Sequence, residues 1–194
     1  RIIIATFASN IHRVQQIIDI AAHTGRKVAL SGRSLENVVA TATELGYVNI
    51  PDGTLIGIDE VKKYTDEQLV IITTGSQGEP MSALSRMASG NHRKVNIGYN
   101  DCVIISARPI PGNEKLVSKV INELMKSGAN VVYERMYDVH VSGHACQEEL
   151  KLMMSITNPK YVIQLHGEQK HLMKHAGLAE QMGIESDNIL IASN

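Results

Sequence analysis

Cysteine is scarce in this 194-residue chain: Cys102 and Cys146 are the only two, and they form no CxxC pair. With no secretory leader visible either, a reducing cytoplasm fits better than a disulfide-stapled secreted scaffold and is the expected compartment. Long apolar runs are also missing. The longest, at residues 69–72 and 102–106, fall far short of the roughly 20 residues a membrane span needs, so no bilayer crossing is expected. Nor is there an excess of positive charge. The formal net charge is −1, which excludes a global basic field and requires any nucleic-acid site to be local. No repeat or low-complexity stretch occurs. With 43% hydrophobic and 20% charged residues, the composition is that of a globular protein long enough to bury a substantial core. The chain opens on Arg1-Ile2-Ile3-Ile4, with no initiator methionine and no polar lead-in, which reads as a segment cut from something longer.

What is present is a regular alternation. Aliphatic runs at residues 2–5, 27–30, 69–74, 102–107, 130–133, 161–164 and 188–191 predict strands buried on both faces. Between them, apolar residues recur at helical spacing. Ile11, Val14, Ile17, Ile18 and Ala21 form one such stripe, and Asn10 is placed to cap it. Further helices are predicted at about 34–45, 81–88, 113–126, 147–155 and 170–182. Gly25, Gly46, Gly128 and Gly183 follow helical runs, where a glycine can end the helix in a left-handed conformation. The pattern predicts an α/β fold with a mainly parallel sheet flanked by helices. Residues 48–65, interrupted by Pro51, Gly53 and Gly57, read as a surface excursion from that sheet.

Two segments carry chemistry. Val139-His140-Val141-Ser142-Gly143-His144-Ala145 follows a strand after a short polar connection and leads into a helix. In open α/β sheets ligands bind beyond the carboxyl ends of strands, and helix N-termini favour anions. A tight turn bearing two partly exposed histidines is the alternative. The second segment, Val162-Ile163-Gln164-Leu165-His166-Gly167-Glu168, places an imidazole directly after a strand with a carboxylate two residues on. Imidazole is the commonest metal ligand, and a carboxylate can orient it by accepting its second N–H. A purely structural histidine is the alternative there. Thr73-Thr74-Gly75-Ser76-Gln77-Gly78-Glu79-Pro80 lacks the ending of a P-loop and the spacing of a dinucleotide fingerprint, so it is expected to be a groove-lining turn. Arg108 is placed either to meet a nucleic-acid backbone or to make a structural salt bridge. His12, His23, His92, His171 and His175 are assigned no metal role; the i, i+4 pair His171 and His175 is expected on a solvated helix face.

The pattern His140-Val141-Ser142-Gly143-His144, followed 22 residues later by His166-Gly167-Glu168, resembles motifs B and C of the β-CASP branch of the metallo-β-lactamase superfamily. Three further blocks resemble those of the RNase J subfamily. They are Ala5-Thr6-Phe7-Ala8-Ser9-Asn10-Ile11-His12-Arg13, the Thr73–Pro80 turn, and Ala107-Arg108-Pro109-Ile110-Pro111-Gly112-Asn113-Glu114.

The resemblance implies a β-CASP domain over residues 1–144 and, over 145–194, βα units of a metallo-β-lactamase domain whose N-terminal portion is absent. It implies a zinc-dependent ribonuclease that degrades RNA 5′-to-3′ from monophosphate ends and also cuts internally. His166 matches a ligand to a two-zinc site, and His144 matches a residue at the scissile phosphate that shuttles a proton. Ser9, Asn10, Ile11, His140, Val141, Ser142, Gly143 and His144 are the implied substrate-binding residues. The family's HxHxDH zinc motif is absent from this sequence, so the chain alone is expected to be inactive. RNA is the implied partner, with a homodimer or homotetramer and RNA-degradation or ribosome-associated partners for the complete protein. Two other readings compete: a non-catalytic RNA-binding or assembly module of the same fold, and a DNA-directed nuclease of the same branch.

Overall fold

The computed structural model describes residues 1–134, 136 and 143–192. The chain divides into two compact units, Arg1–Val141 and Ser142–Asn194.

Unit 1 is built on six strands, β1 (Ile2–Ala5), β2 (Lys27–Ser31), β3 (Leu55–Ile56), β4 (Leu69–Thr73), β5 (Cys102–Ile105) and β6 (Asn130–Val132). They lie in the order β3-β2-β4-β1-β5-β6 with every neighbouring pair parallel. Four helices connect them: α1 (Ile11–His23), α2 (Arg33–Glu44), α3 (Ala83–Ala88) and α4 (Glu114–Lys126).

Successive strand residues point to opposite faces, and this alternation splits the core in two. Ile3, Ala5, Leu69, Ile71, Val103 and Ile105 pack with Leu84 and Met87 of α3 and Val120 and Leu124 of α4. Val28, Leu30, Val70 and Ile72 pack instead with Val14 and Ile18 of α1 and Leu35 and Val39 of α2. Strand β4 is covered on both sides, and all five of its residues are buried. The predicted helix ends are present too. Asn10 caps α1 by accepting from the Arg13 amide at 3.1 Å, and Gly25, Gly46, Gly128 and Gly183 all have positive φ.

Two expectations need correction. The 48–65 segment is not simply an excursion: Leu55 and Ile56 pair with Val28 and Ala29 as an edge strand, and Val48, Thr54 and Val61 are buried. A two-residue strand is too short to display the alternation by which strands are recognised. The last two strands are also not buried on both faces. In unit 2, β7 (Val162–Gln164) pairs in parallel with β8 (Ile189–Ile191), alongside helices α5 (Gln147–Thr157) and α6 (Gln169–Gln181). Ile163 and Leu190 are more than half exposed in this structure.

One histidine of unit 1 ties the chain after α3 to the end of β2. His92 Nδ1 accepts from the Val95 amide at 3.1 Å, and its Nε2 lies 3.1 Å from Ser31 Oγ. A neutral ring that accepts at Nδ1 carries its proton on Nε2, so Nε2–H donates to the serine. Burial, with a smaller contribution from Arg86, lowers the pKa of His92. A depressed pKa makes this bonding a stabilising term that is present above the ordinary histidine pKa of about 6.5 and lost as pH falls below it toward the folded-state value. Between pH 7.5 and 5, the thermal midpoint of the wild-type chain should therefore fall more than that of His92→Leu; parallel pH profiles would contradict this.

Candidate functional site

In unit 1 the chain leaves β1 toward β2 and leaves the adjacent β5 toward β6. Connections that diverge in this way open a crevice at the carboxyl ends of the two strands. Ser9, Asn10 and Ile11 stand at its rim, with Ser9 exposed and the other two half-buried. The local bonding narrows what they can offer a ligand. Asn10's side-chain oxygen is engaged as the helix cap, and the Ile11 amide donates to the Ser9 carbonyl at 3.0 Å.

The glycine-rich turn after β4 is held inward by Gln77, a residue that the sequence did not single out. Its side chain is buried, its Nε2 donates to the Arg108 carbonyl at 2.8 Å, and its Oε1 accepts from the Ile110 amide at 2.7 Å. Gln77 thereby clamps the loop after β5 to the loop after β4. Gly78 is the only residue type that fits beside it, since a Cβ there would lie 2.5 Å from the Leu116 carbonyl carbon. Of the two roles open to Arg108, the structure contains the salt bridge, with its Nε 2.5 Å from Glu134 Oε1.

In unit 2 the two motif histidines are together. His144 and His166 are exposed, and their rings stack with centroids 5.7 Å apart and planes within 9° of parallel. His166 follows β7 and turns through Gly167, whose φ of 132° favours glycine. The expected role of Glu168 needs correction: its carboxylate pairs with Lys170 at 2.9 Å. That hydrogen bond and charge hold its pKa below the usual carboxylate range. His171 is exposed, as expected, and its Nδ1 accepts from the Glu168 amide at 3.2 Å and so helps start α6, whereas His175 is half-buried. Gln164, at the end of β7, is buried with neither side-chain polar atom bonded. Gly143 is exposed. His140, Val141 and Ser142 lie outside the described residues.

The lone pairs of an imidazole lie in its ring plane. Two imidazoles share one ion only when the in-plane lone pairs of both point at it, at the roughly 2.0–2.1 Å of a zinc–nitrogen bond. Among the described residues no three His, Cys, Asp or Glu side chains come together as a metal-binding group. His166, an exposed imidazole directly after β7, is a donor of the kind that holds zinc.

Two protein-family models match the chain. Residues 1–124 match the ribonuclease J β-CASP domain, and residues 128–189 match a domain described as a Zn-dependent metallo-hydrolase RNA specificity domain. Ribonuclease J of Synechocystis is 45% identical over 194 residues, covering all of this chain and 30% of that protein. Ribonuclease J2 of Bacillus subtilis is 46% identical over 191 residues, covering 98% of this chain and 34% of the relative. Ribonuclease J of Thermus thermophilus is 47% identical over 194 residues, all of this chain and 34% of the relative. The chain thus spans about a third of the length of these relatives.

Proposed function

The chain belongs to the ribonuclease J β-CASP family, and from that premise we propose that it is part of a zinc-dependent ribonuclease that hydrolyses RNA phosphodiester bonds. The observation that carries this reading is the stack of His144 on His166 at the end of β7. In this reading one ring serves a metal and the other a reacting phosphate. The domain boundary falls near residue 144 in this reading. The complete protein degrades RNA 5′-to-3′ from monophosphate ends, cuts internally as well, and works as a cytoplasmic homo-oligomer.

His166 is the residue that would hold zinc, in a site of two ions whose remaining ligands are not among the described residues. Zinc, when bound, supplies Lewis acidity and a water of lowered pKa. The other steps belong to this chain. His144, held beside His166 by stacking, moves a proton at an oxygen of the scissile phosphate. Ser9, Asn10, Ile11, His140, Val141, Ser142, Gly143 and His144 are the proposed substrate-binding residues. The Ser9 hydroxyl is the exposed donor of its loop, while Asn10 shapes that loop by capping α1.

Matched RNA and DNA strands given to the complete protein, with and without a chelator, test the proposal. Cleavage of RNA in preference to DNA, abolished by chelation, is expected; preference for DNA or indifference to chelation would contradict it. The 194-residue chain alone is expected to leave 5′-monophosphorylated RNA uncut in the presence of zinc or manganese, at the level of a His166→Ala control. Turnover by the chain that depends on His166 would contradict the placing of the remaining ligands elsewhere.

A further inference from the structure

The crevice between β1 and β5 holds two groups that folding alone leaves unexplained. Arg13 sits in the first turn of α1, where unpaired amides and the helix dipole make the surroundings positive and disfavour a cation. It is half-buried, and burial is the sole cause of its lowered pKa, with no carboxylate contributing. Its guanidinium has one partner among the described residues, the Ser106 carbonyl, at 2.6 Å from Nη1. That acceptor is neutral and uses one of five N–H donors.

The second group is Thr6, which is 1% exposed and whose hydroxyl has no partner. The two lie at one level of the sheet. The Ser106 amide donates to the Ala5 carbonyl at 2.9 Å, and the Thr6 amide continues the ladder to the Thr73 carbonyl at 3.1 Å. Thr6 is therefore in step with Ile2 and Ile4, which pack on the α1 face. A cation without a carboxylate partner and an unpaired hydroxyl at the carboxyl end of adjacent parallel strands call for an anion.

We propose that Arg13 and Thr6 form a phosphate-binding subsite. The guanidinium supplies charge and a planar fork of donors, and the threonine hydroxyl supplies one further donor at the floor of the crevice. The anion subsite rests on the geometry given above; its occupant, one phosphate of a bound RNA strand, rests on the reading under Proposed function. This adds a charged contact to a loop whose amides at Ile11 and Arg13 are already engaged.

Binding of a short RNA to the complete protein under chelation, followed by fluorescence anisotropy over a salt series, tests the proposal without cleavage. Arg13→Gln should weaken binding about tenfold and flatten the salt dependence by roughly 0.7, the slope of one phosphate contact on a single strand. Arg13→Lys should weaken binding while keeping the slope, because it retains charge and loses the fork. Thr6→Val should weaken binding several-fold at constant slope. An equal loss on 5′-monophosphate and 5′-hydroxyl RNA assigns an internal phosphate; a loss confined to the monophosphate assigns the terminal one. Either supports the subsite. Unchanged affinity in folded Arg13→Gln and Thr6→Val proteins would overturn it, and if Arg13→Gln does not fold, unchanged affinity in Arg13→Lys and Thr6→Val would do the same. Wild-type protein that binds no RNA would overturn the ribonuclease reading itself, and is told apart by the wild-type measurement.

Discussion

Replacing His144 with alanine in the complete protein is expected to slow RNA hydrolysis by about 10²- to 10⁴-fold, the usual contribution of a general acid or base. The ring is exposed and can reach a substrate, and it stacks on His166 with parallel planes. That arrangement limits its rotation. His166→Ala is expected to lower the rate at least as far, because it removes the proposed metal ligand. Single-turnover rates at saturating protein separate these chemical effects from weakened binding. A His144→Ala rate within threefold of wild type would remove the residue from the chemistry.

The other large effect is expected in the scaffold. Gly78→Ala should destabilise unit 1 by about 3 kcal/mol or more, the range reached when overpacking and a special backbone conformation combine. Gly78 has a φ of 73°, and a Cβ there would lie 2.5 Å from the Leu116 carbonyl carbon and 2.7 Å from the Val117 amide nitrogen. Both contacts are with the backbone of α4. That helix cannot yield easily, since Val117, Val120 and Leu124 are buried. Gly25→Ala is the control: its φ is 68°, but no atom lies within 4 Å of the added carbon. It should cost only the left-handed penalty of roughly 1–2 kcal/mol. Urea unfolding of both variants measures the difference, and equal losses would show that contact with α4 does not set the requirement for glycine.

The scaffold was legible because its signals are local and repeated. Aliphatic runs announced the strands of both units except β3, whose two residues are too few to show a period. Helical stripes and Asn10 announced α1, and the same logic served α2 and α4. The bonding of polar side chains was harder to foresee. Glu168 had a histidine two residues away in sequence, yet Lys170 is its partner. Spacing brings charged groups within reach without deciding among competing partners. Gln77 lies in a glycine-rich turn whose sequence predicts only a groove lining, and its clamp on Arg108 and Ile110 exists only once β4 and β5 lie in one sheet. Arg13 entered the sequence reading only as the last residue of a block that resembles the family. Its lack of a carboxylate partner required the fold.

The assignment of the two stacked rings to different tasks is the centre of the account. It is tested most directly by the zinc content of the complete protein, purified as wild type, His166→Ala and His144→Ala and analysed by mass spectrometry of the metal. His166→Ala is predicted to lose zinc, whereas His144→Ala keeps close to the wild-type amount while losing activity. Equal zinc loss in both variants, or full zinc in His166→Ala, would contradict the assignment of His166 to the metal and His144 to the phosphate.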